Sequence, residues 1–320
     1  MKKSFFVTLV FGCVLCMSVS SCVCINGCQS NLCSPVTKEI TSEREMAEGM
    51  TFSAETMHSY IKITGWDQNN CSARVKVKVR AENTEKANKI AESIRSSLKE
   101  SANKMTLITD QLGHHGDYSV YADYDVKLPR NSNVILKTTH GTIECRNLKG
   151  NVTAKTTHDP IICSDISGSL KLDTSHDPIK LTNITGKVEA RTTHDPIEAD
   201  NITGDLHLST SHDNIKCNNL NTEIISARTT HGNVNITFSE QFTVPVIAEV
   251  TTSHGDISFD PGLNYSGWIS MSTSHGKIKT ELPITVNGEM SEKMINGMIG
   301  GKDGEGKINL KTSHGSIFLK

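Results

Sequence analysis

"KTTHGTIECRNLKGNVTA" (137–154), "KTTHDPIICSDISGSLKL" (155–172), "DTSHDPIKLTNITGKVEA" (173–190) and "RTTHDPIEADNITGDLHL" (191–208) are four consecutive copies of one 18-residue unit. Each copy contains Thr, then Thr or Ser, then His, then Gly or Asp. This tetrapeptide occurs nine times, with its histidine at His140, His158, His176, His194, His212, His231, His254, His275 and His314. Four intervals of 18 residues are followed by intervals of 19, 23, 21 and 39. Such a drifting period is typical of stacked repeats with loop insertions.

Apolar residues recur at fixed distances from each histidine. The third residue after it is always Ile or Val, and alternating pairs such as Val188 and Ala190 follow a glycine column. Period-2 alternation on both sides of a glycine indicates two short strands per repeat. Because identical residues recurring once per period are buried best by stacking in register, we predict an all-β chain. Its architecture is a parallel β-solenoid with rungs of about 18 residues. Antiparallel hairpins with the same period are the second alternative.

The composition agrees with a narrow core and excludes one class of partner. Hydrophobic residues make up 36% of the chain and aromatic residues 5%, so we expect a core of small and β-branched side chains. Lys plus Arg is 33 and Asp plus Glu is 35, which gives a formal net charge of -2. A nucleic-acid-binding protein is expected to carry a basic footprint. We therefore expect no nucleic-acid partner.

The first residues have the pattern of an export signal. Lys2 and Lys3 precede an apolar run that ends at Met17, shorter than the roughly 20 residues of a membrane span. The segment Val19-Ser20-Ser21-Cys22 resembles the bacterial lipoprotein cleavage motif. This resemblance implies a lipoprotein signal peptide at 1–21 and a membrane anchor through lipid on Cys22. An uncleaved anchor and an ordinary secretory signal are the alternatives.

Residues 22–50 are polar and unpatterned, so we predict a flexible tether there. Six of the ten cysteines lie in the signal and the tether, where the sequence does not determine their pairing. The other four fall in the predicted body, and three of them share one apolar column of the repeat. We expect this column to be buried as small hydrophobic side chains. The four body cysteines are Cys71, Cys145, Cys163 and Cys217.

Residues 51–135 precede the regular repeats and differ from them. Thr56, His58 and Ile61 reproduce the repeat columns, which predicts a degenerate first rung. Strands are expected near 73–81 and 120–128. Between them, Asn83 is a helix cap and an apolar stripe follows at helical spacing, so a helix is predicted over about 83–102. We expect this helix to pack on the sheet and cap its open end.

The repeats occupy residues 136–320 and are interrupted near their end. Residues 287–306 are rich in Gly and Met and break the period. We expect a loop there, followed by a final rung that contains His314.

These features resemble the bacterial "putative adhesin" family of β-strand-repeat proteins, a domain family of unknown function. The matching positions are Gly65-Trp66-Asp67, the segment from Tyr124 to Pro129, the nine turns, Gly300-Gly301 and the last turn at 312–317. Coverage is nearly the whole chain from about residue 51. The resemblance implies an exported solenoid without agreed catalytic residues. The family's turn often carries Asn where this chain carries His.

The repeated histidine has two interpretations. In the first, Thr and His hydrogen-bond the turn backbone and form a corner ladder. In the second, neighbouring imidazoles bind Zn, Cu or Ni, or protons, because these metals favour imidazole ligands and four of the turns add a carboxylate. The candidate ligand set is then the nine repeat histidines with Asp159, Asp177, Asp195 and Asp213.

Function follows from the pattern of the repeats and from the signal. No nucleophile elbow, P-loop, dinucleotide-binding or zinc-protease motif occurs, so we predict a non-enzymatic protein with no catalytic residues and no required cofactor. The prediction is a lipid-anchored protein of the bacterial cell envelope, an adhesin or structural solenoid that displays a repeated Thr/His face to a protein or glycan. The alternative is a multi-site metal-binding envelope protein that acts through the histidines.

Overall fold

The computed structural model describes residues 34–286, 291–301 and 304–320. This part of the chain is nearly all β: it contains two sheets of 14 strands each and one helix. The prediction of an all-β chain with one N-terminal helix is confirmed. Among these residues no helix has the length and apolar content needed to cross a bilayer. Residues 1–33, which hold the predicted signal, Cys22 and the start of the tether, lie outside the described residues.

The N-terminal part packs one helix against a set of mixed strands. Its elements are β1 (Val36–Glu45), β2 (Thr51–Glu55), β3 (Ile61–Trp66), β4 (Asn70–Ala81), α1 (Thr84–Ser93), β5 (Ser96–Ser101), β6 (Lys104–Thr109), β7 (Gly113–His114) and β8 (Tyr118–Pro129).

The repeats supply two strands each. These strands are β9 (Asn133–Lys137), β10 (Ile143–Leu148), β11 (Val152–Lys155), β12 (Ile161–Ser167), β13 (Leu170–Asp173), β14 (Ile179–Thr185), β15 (Val188–Arg191), β16 (Ile197–Thr203), β17 (Leu206–Ser209), β18 (Ile215–Asn221), β19 (Ile224–Arg228), β20 (Val234–Phe238), β21 (Ile247–Thr251) and β22 (Ile257–Asp260).

The C-terminal part adds six strands. They are β23 (Gly267–Thr273), β24 (Ile278–Thr280), β25 (Ile284–Val286), β26 (Met294–Ile299), β27 (Gly306–Thr312) and β28 (Ile317–Leu319).

Strands of successive repeats lie side by side and in register. In the first sheet Ile161 pairs with Ile179, which pairs with Ile197, one repeat further along. In the second sheet Leu170 pairs with Val188 in the same way. These pairs are parallel, so the alternative of antiparallel hairpins is wrong for the repeats. Each repeat therefore places one strand in each sheet and returns to the first sheet through the turn that contains the histidine.

The core is formed by the columns that the sequence analysis identified. The Ile or Val three residues after each histidine is buried in all nine turns. The leucines and valines of the strand that each repeat adds to the second sheet are buried as well. The column with Cys145, Cys163 and Cys217 is fully buried and its thiols are free. Burial raises the pKa of the Cys217 thiol to about 12. These cysteines therefore act as small hydrophobic side chains.

The predicted tether is partly wrong. Residues 36–45 form β1, which pairs antiparallel with β4 along its whole length. Its alternate residues are only half-buried, and polar residues such as Lys38 and Ser42 occupy these positions. This strand lacks the apolar alternation that marks the repeats because it lies at the edge of the sheet, with a partner on one side only.

The predicted helix begins correctly and ends too late. Asn83 caps α1, and its Oδ1 accepts a hydrogen bond of 2.8 Å from the Lys86 amide. The helix ends at Ser93, because Ile94 has an extended backbone and the chain continues as β5. Ile94 and Leu98 are buried as the apolar stripe requires, but Leu98 is buried on a strand.

The C-terminal rung does not follow the chain order. Strand β27 lies between β21 and β23, and β28 lies between β22 and β24. The last segment is thus inserted between two rungs that precede it in the sequence. The predicted loop at 287–306 also contains β26, which pairs antiparallel with β23 and β25. Residues 287–290 and 302–303 of that loop lie outside the described residues.

A second column, seven residues after the histidine, shapes the first-sheet strands. Asn147, Asp165, Asn183, Asn201 and Asn219 all have φ between 52° and 57°, a left-handed conformation that Asn and Asp tolerate better than most residues. The Asn201 amide donates to the Asn183 side-chain oxygen at 2.8 Å, and Asn183 donates to Asp165 at the same distance. The sequence analysis did not identify this asparagine ladder.

Candidate functional site

The repeat histidines form one continuous stack of imidazole rings. Neighbouring ring centroids are 4.4–5.4 Å apart, and their planes differ by 2–8°. All nine predicted histidines belong to it, and His58 of the degenerate rung is the tenth member. The order in space is His58, His140, His158, His176, His194, His212, His231, His254, His314 and His275. We call this row the histidine ladder.

The hydrogen bonds of the ladder determine which ring nitrogen faces solvent. Nδ1 of His194 lies 3.1 Å from the Ser175 carbonyl, and Nδ1 of His212 lies 3.2 Å from the Thr193 carbonyl. His176 and His275 make the equivalent contact. A carbonyl oxygen only accepts, so Nδ1 carries the proton and Nε2 keeps its lone pair. Eight rings are exposed, and His140 and His158 are half-buried. Nδ1 of His140 and His158 is buried as well, so in these six rings Nε2 is the nitrogen left at the edge of the two sheets.

The threonine two residues before each histidine faces inward. All of these threonines are buried, including Thr192 and Thr210. The Thr210 hydroxyl donates to the Asp195 carbonyl of the previous turn at 3.1 Å, and Thr252 donates to Gly232 at 2.9 Å. The prediction of an exposed Thr/His face is therefore wrong for the invariant threonine. This side chain is buried and holds neighbouring turns together. In the nine repeat turns, the residue between this threonine and the histidine is a second Thr or a Ser, and it is not fully buried.

Four aspartates run beside the central part of the ladder. Asp159, Asp177, Asp195 and Asp213 are half-buried. The Asp159 carboxylate accepts a hydrogen bond from the Gly141 amide at 2.7 Å. Burial, and then the charges of Asp159 and Asp195, raise the pKa of Asp177 above its ordinary value. The outer turns carry Gly in place of Asp.

The ladder does not form a chelating metal site. Within the described ranges, no group of three or more His, Cys, Asp and Glu side chains is placed to hold a metal ion. A zinc–nitrogen bond is about 2.0–2.1 Å long and lies in the plane of the ring. Since stacked rings direct their Nε2 lone pairs side by side, an ion bound to one ring is too far from the next. Each ring therefore offers one ligand, and the predicted bridging between rungs has no geometric support.

The N-terminal end of the ladder differs from the rest. The ring of Tyr121 meets the His58 ring edge-on at 5.4 Å, and His140 stacks on its other side. Burial, and then the charges of His140 and His114, lower the pKa of His58 below its ordinary value of 6.5. Protonation of His58 is therefore less favourable in the folded chain than in the unfolded chain.

The His58 shift predicts a loss of stability on acidification. A histidine whose pKa is lowered by folding makes its full contribution to the stability of the folded chain above its ordinary pKa of 6.5. This contribution is lost as the pH falls towards the pKa of the folded state. Two imidazolium charges about 4 Å apart also repel by about 1 kcal/mol in water. We expect urea unfolding to show lower stability at pH 5 than at pH 7.5, and His58→Gln to reduce that difference. His207→Gln, outside the ladder, is the control. Equal pH dependence of His58→Gln and the unsubstituted chain would contradict this explanation.

The other three histidines are not part of the ladder, although His114 lies beside its N-terminal end. His114 Nε2 lies 3.0 Å from the Tyr121 hydroxyl, and the His115 ring stacks on Tyr118. His207 is on the outer face of the second sheet, where it lines a surface hollow of about 520 Å³. Sequence analysis left these residues unassigned because they do not belong to the repeat column.

No known family model matches this chain, and no curated protein sequence matches it. Three bacterial crystal structures are similar to it. A "putative cell adhesion protein" from Clostridium sporogenes has 12% identity, covers 89% of this chain and 99% of its own, and has a TM-score of 0.21. A "putative adhesin" from Bacteroides fragilis has 13% identity, coverage of 88% and 97%, and a TM-score of 0.38.

The third, a "putative lipid binding protein" from Parabacteroides distasonis, has 10% identity, coverage of 90% and 97%, and a TM-score of 0.37. Two of the three names refer to adhesion and the third to lipid binding. With identities of 10–13% and TM-scores below 0.5, the likeness carries no argument about what this chain binds.

Proposed function

We propose that this protein is a non-enzymatic component of the bacterial cell envelope, an adhesin or structural protein that presents its histidine ladder to a partner. The observation that carries this proposal is the row of ten stacked rings, eight of them exposed. A straight row of identical hydrogen-bonding groups suits an extended partner, either a protein or a glycan. In this proposal the two sheets are opposite walls of a parallel β-solenoid, whose repeated turns keep the row straight.

The polar groups of the turns support the non-enzymatic part of the proposal. The Thr192, Thr210 and Thr229 hydroxyls each donate to a carbonyl of the previous turn. Nδ1 of His176, His194 and His212 likewise donates to a backbone carbonyl of the previous turn. These groups hold the backbone, and Nε2 is the atom that the ladder leaves for a partner.

A cell-attachment assay tests the ladder. Cells that export the full chain are compared with cells that export the variant His176→Gln/His194→Gln/His212→Gln. Glutamine is polar and similar in size to histidine, but the variant lacks three aligned imidazole rings. We expect attachment to host or matrix surfaces to fall several-fold. His115→Gln removes a histidine that contacts neither the ladder nor the hollow beside His207 and is the control. Equal attachment by both variants would remove the ladder from the proposal.

Anchoring through Cys22 is part of the same proposal, although that residue lies outside the described residues. Val36 begins β1, and 14 residues extend at most about 46–50 Å, enough to hold the folded part away from a membrane. We expect Cys22→Ala to release the protein from the membrane fraction and to abolish fatty-acid labelling. Cys28→Ala is the control, because Ile25-Asn26-Gly27-Cys28 is the weaker match to the cleavage motif. Labelling that persists in Cys22→Ala would reject the anchor.

Metal binding is the second candidate, and the free Nε2 row is the observation that favours it. A hydrogen bond from Nδ1–H to a backbone carbonyl is the support that metal-binding histidines commonly have. Zinc titration of untagged protein by calorimetry tests this candidate. Several ions per chain, lost in His158→Gln/His176→Gln/His194→Gln, would support it. A stoichiometry near zero would reject it.

A further inference from the structure

A row of cations runs along the outer face of the second sheet. Its members immediately precede the buried threonines in the sequence. Strand pairing places its members side by side, from β11 through to β27. The order across the sheet is Lys155, Asp173, Arg191, Ser209, Arg228, Thr251 and Lys311. From β11 to β27 a cation thus occurs on every second strand. On β9 the same column continues with Lys137, which lies beside Lys155 and is paired with Glu55. Because neighbouring strands are about 4.8 Å apart, the positive charges recur about every 9.6 Å.

Two of these cations have no internal counter-ion. Lys155 lies 3.7 Å from Asp173, and Arg228 lies 3.2 Å from Glu249. Among the described residues, no carboxylate lies within ion-pair distance of Arg191 or Lys311. Both side chains are exposed. The row therefore has net positive charge in a chain whose formal net charge is -2.

The centre of the row is concave. Ser209 lies between Arg191 and Arg228, and Ser226 lies beside His207 on the adjoining positions. Since two small side chains are bordered by long cationic ones, a surface hollow of about 520 Å³ remains between the arginines. Lys187, which also borders the hollow, is paired with Glu189 at 2.9 Å. The lining is mixed and contains the two guanidinium groups, two serine hydroxyls, the His207 imidazole and Leu208, with Glu189 as its one carboxylate.

We propose that this row binds a linear anionic polysaccharide in which every second sugar carries an acid group. Arginine guanidinium groups bind planar carboxylates through paired hydrogen bonds, and the serine hydroxyls and His207 suit sugar hydroxyls. Each exposed contact is weak, and several contacts along one polymer combine through effective concentration. The proposal goes beyond the proposed function, because it assigns a ligand class to a second surface. It uses the sheet face instead of the ladder.

The test uses the full chain and a defined polymer. Binding of hyaluronan decasaccharide, an alternating acidic and neutral sugar chain, is measured by calorimetry at low and physiological salt. We expect a dissociation constant that weakens with salt and no binding of neutral dextran. Arg191→Gln/Arg228→Gln should weaken binding at least tenfold with an unchanged melting temperature.

The matched control is Lys180→Gln/Lys216→Gln on the first sheet. These lysines also lie two strands apart, with Glu198 between them instead of a serine. The control should bind as the unsubstituted chain does. Equal weakening in both variants, or no hyaluronan binding at all, would overturn the proposal. Dextran sulfate distinguishes sulfate groups from the carboxylates of hyaluronan. A chain that bound dextran sulfate but not hyaluronan would also overturn the proposal.

The attachment assay distinguishes this proposal from the broader one. If hyaluronan does not bind but attachment still depends on the ladder histidines, the row fails and the proposed function stands. If hyaluronan binds through Arg191 and Arg228 while attachment does not depend on the ladder, the row stands and the ladder's role fails.

Discussion

A chain that ends at Glu305 is expected to lose the packed structure of β23, β24, β25 and β26, although these strands are all retained. Removal of 306–320 takes away β27 and β28, which separate β21 from β23 and β22 from β24. Four buried hydrophobic side chains are lost: Ile308, Leu310, Ile317 and Leu319. At about 1.5–3 kcal/mol each, their burial contributes roughly 6–12 kcal/mol. Limited proteolysis followed by mass spectrometry should show cleavage within 265–301 and protection of the earlier repeats.

Point variants separate this effect from the general consequences of truncation. Leu310 is fully buried in the inserted strand, and Ile284 is half-buried on β25 at the edge of the sheet. We expect Leu310→Ala to cost about 2–5 kcal/mol, as is usual for buried leucines, and Ile284→Ala to cost less. If the truncated chain resisted cleavage in 265–301 as the full chain does, the inserted position of β27 and β28 would be wrong.

Replacing Gly186 with Ala is expected to be among the most destabilising single substitutions in the repeats. Its φ is +139°, a conformation that L side chains rarely adopt, and an added Cβ would lie 2.4 Å from the Gly168 carbonyl oxygen. Backbone strain costs about 1–3 kcal/mol, and displacing a packed neighbour costs a further 1–3 kcal/mol, so about 2–6 kcal/mol in total. The loss of unfolding free energy is measured in urea.

Gly116 provides the matched control for Gly186. It has φ +74°, but nothing lies within 4 Å of its added Cβ. Gly116→Ala should therefore cost only the conformational part, about 1–2 kcal/mol. The difference between the two variants measures the contact between neighbouring turns. Equal losses would mean that the turns are not packed as closely as the Gly186 backbone indicates.

The repeat strands were predictable because their apolar residues recur with a period of two within a longer period of 18. Ile161, Ile179 and Ile197 occupy one column in the sequence and one row in the sheet. Strand β1 was not predictable, since an edge strand half-buries its inner face and tolerates Lys38 and Ser42 there. The end of α1 was missed because Leu98 continues the helical spacing after the backbone has become extended.

The candidate site was predictable in its membership and less so in its geometry. Spacing alone identified every repeat histidine. The rotation of each turn decides which side chain is buried, and that rotation places Thr192 inside and His194 outside. The sequence shows mixed charges in the column before each buried threonine, where Lys, Asp, Arg, Ser and Thr all occur. Its regularity becomes visible only when alternate strands are compared.

The inserted position of the last rung has a consequence for how the chain acquires its structure. Repeats that follow chain order can add one after another as the polypeptide emerges, since each needs only the repeat before it. The rung that contains His275 cannot dock in its final place until the segment with His314 has arrived between it and His254. Folding of these strands therefore waits until residues 306–320 have been synthesised or exported. Until then β23 remains an unprotected edge, the kind of surface that chaperones recognise.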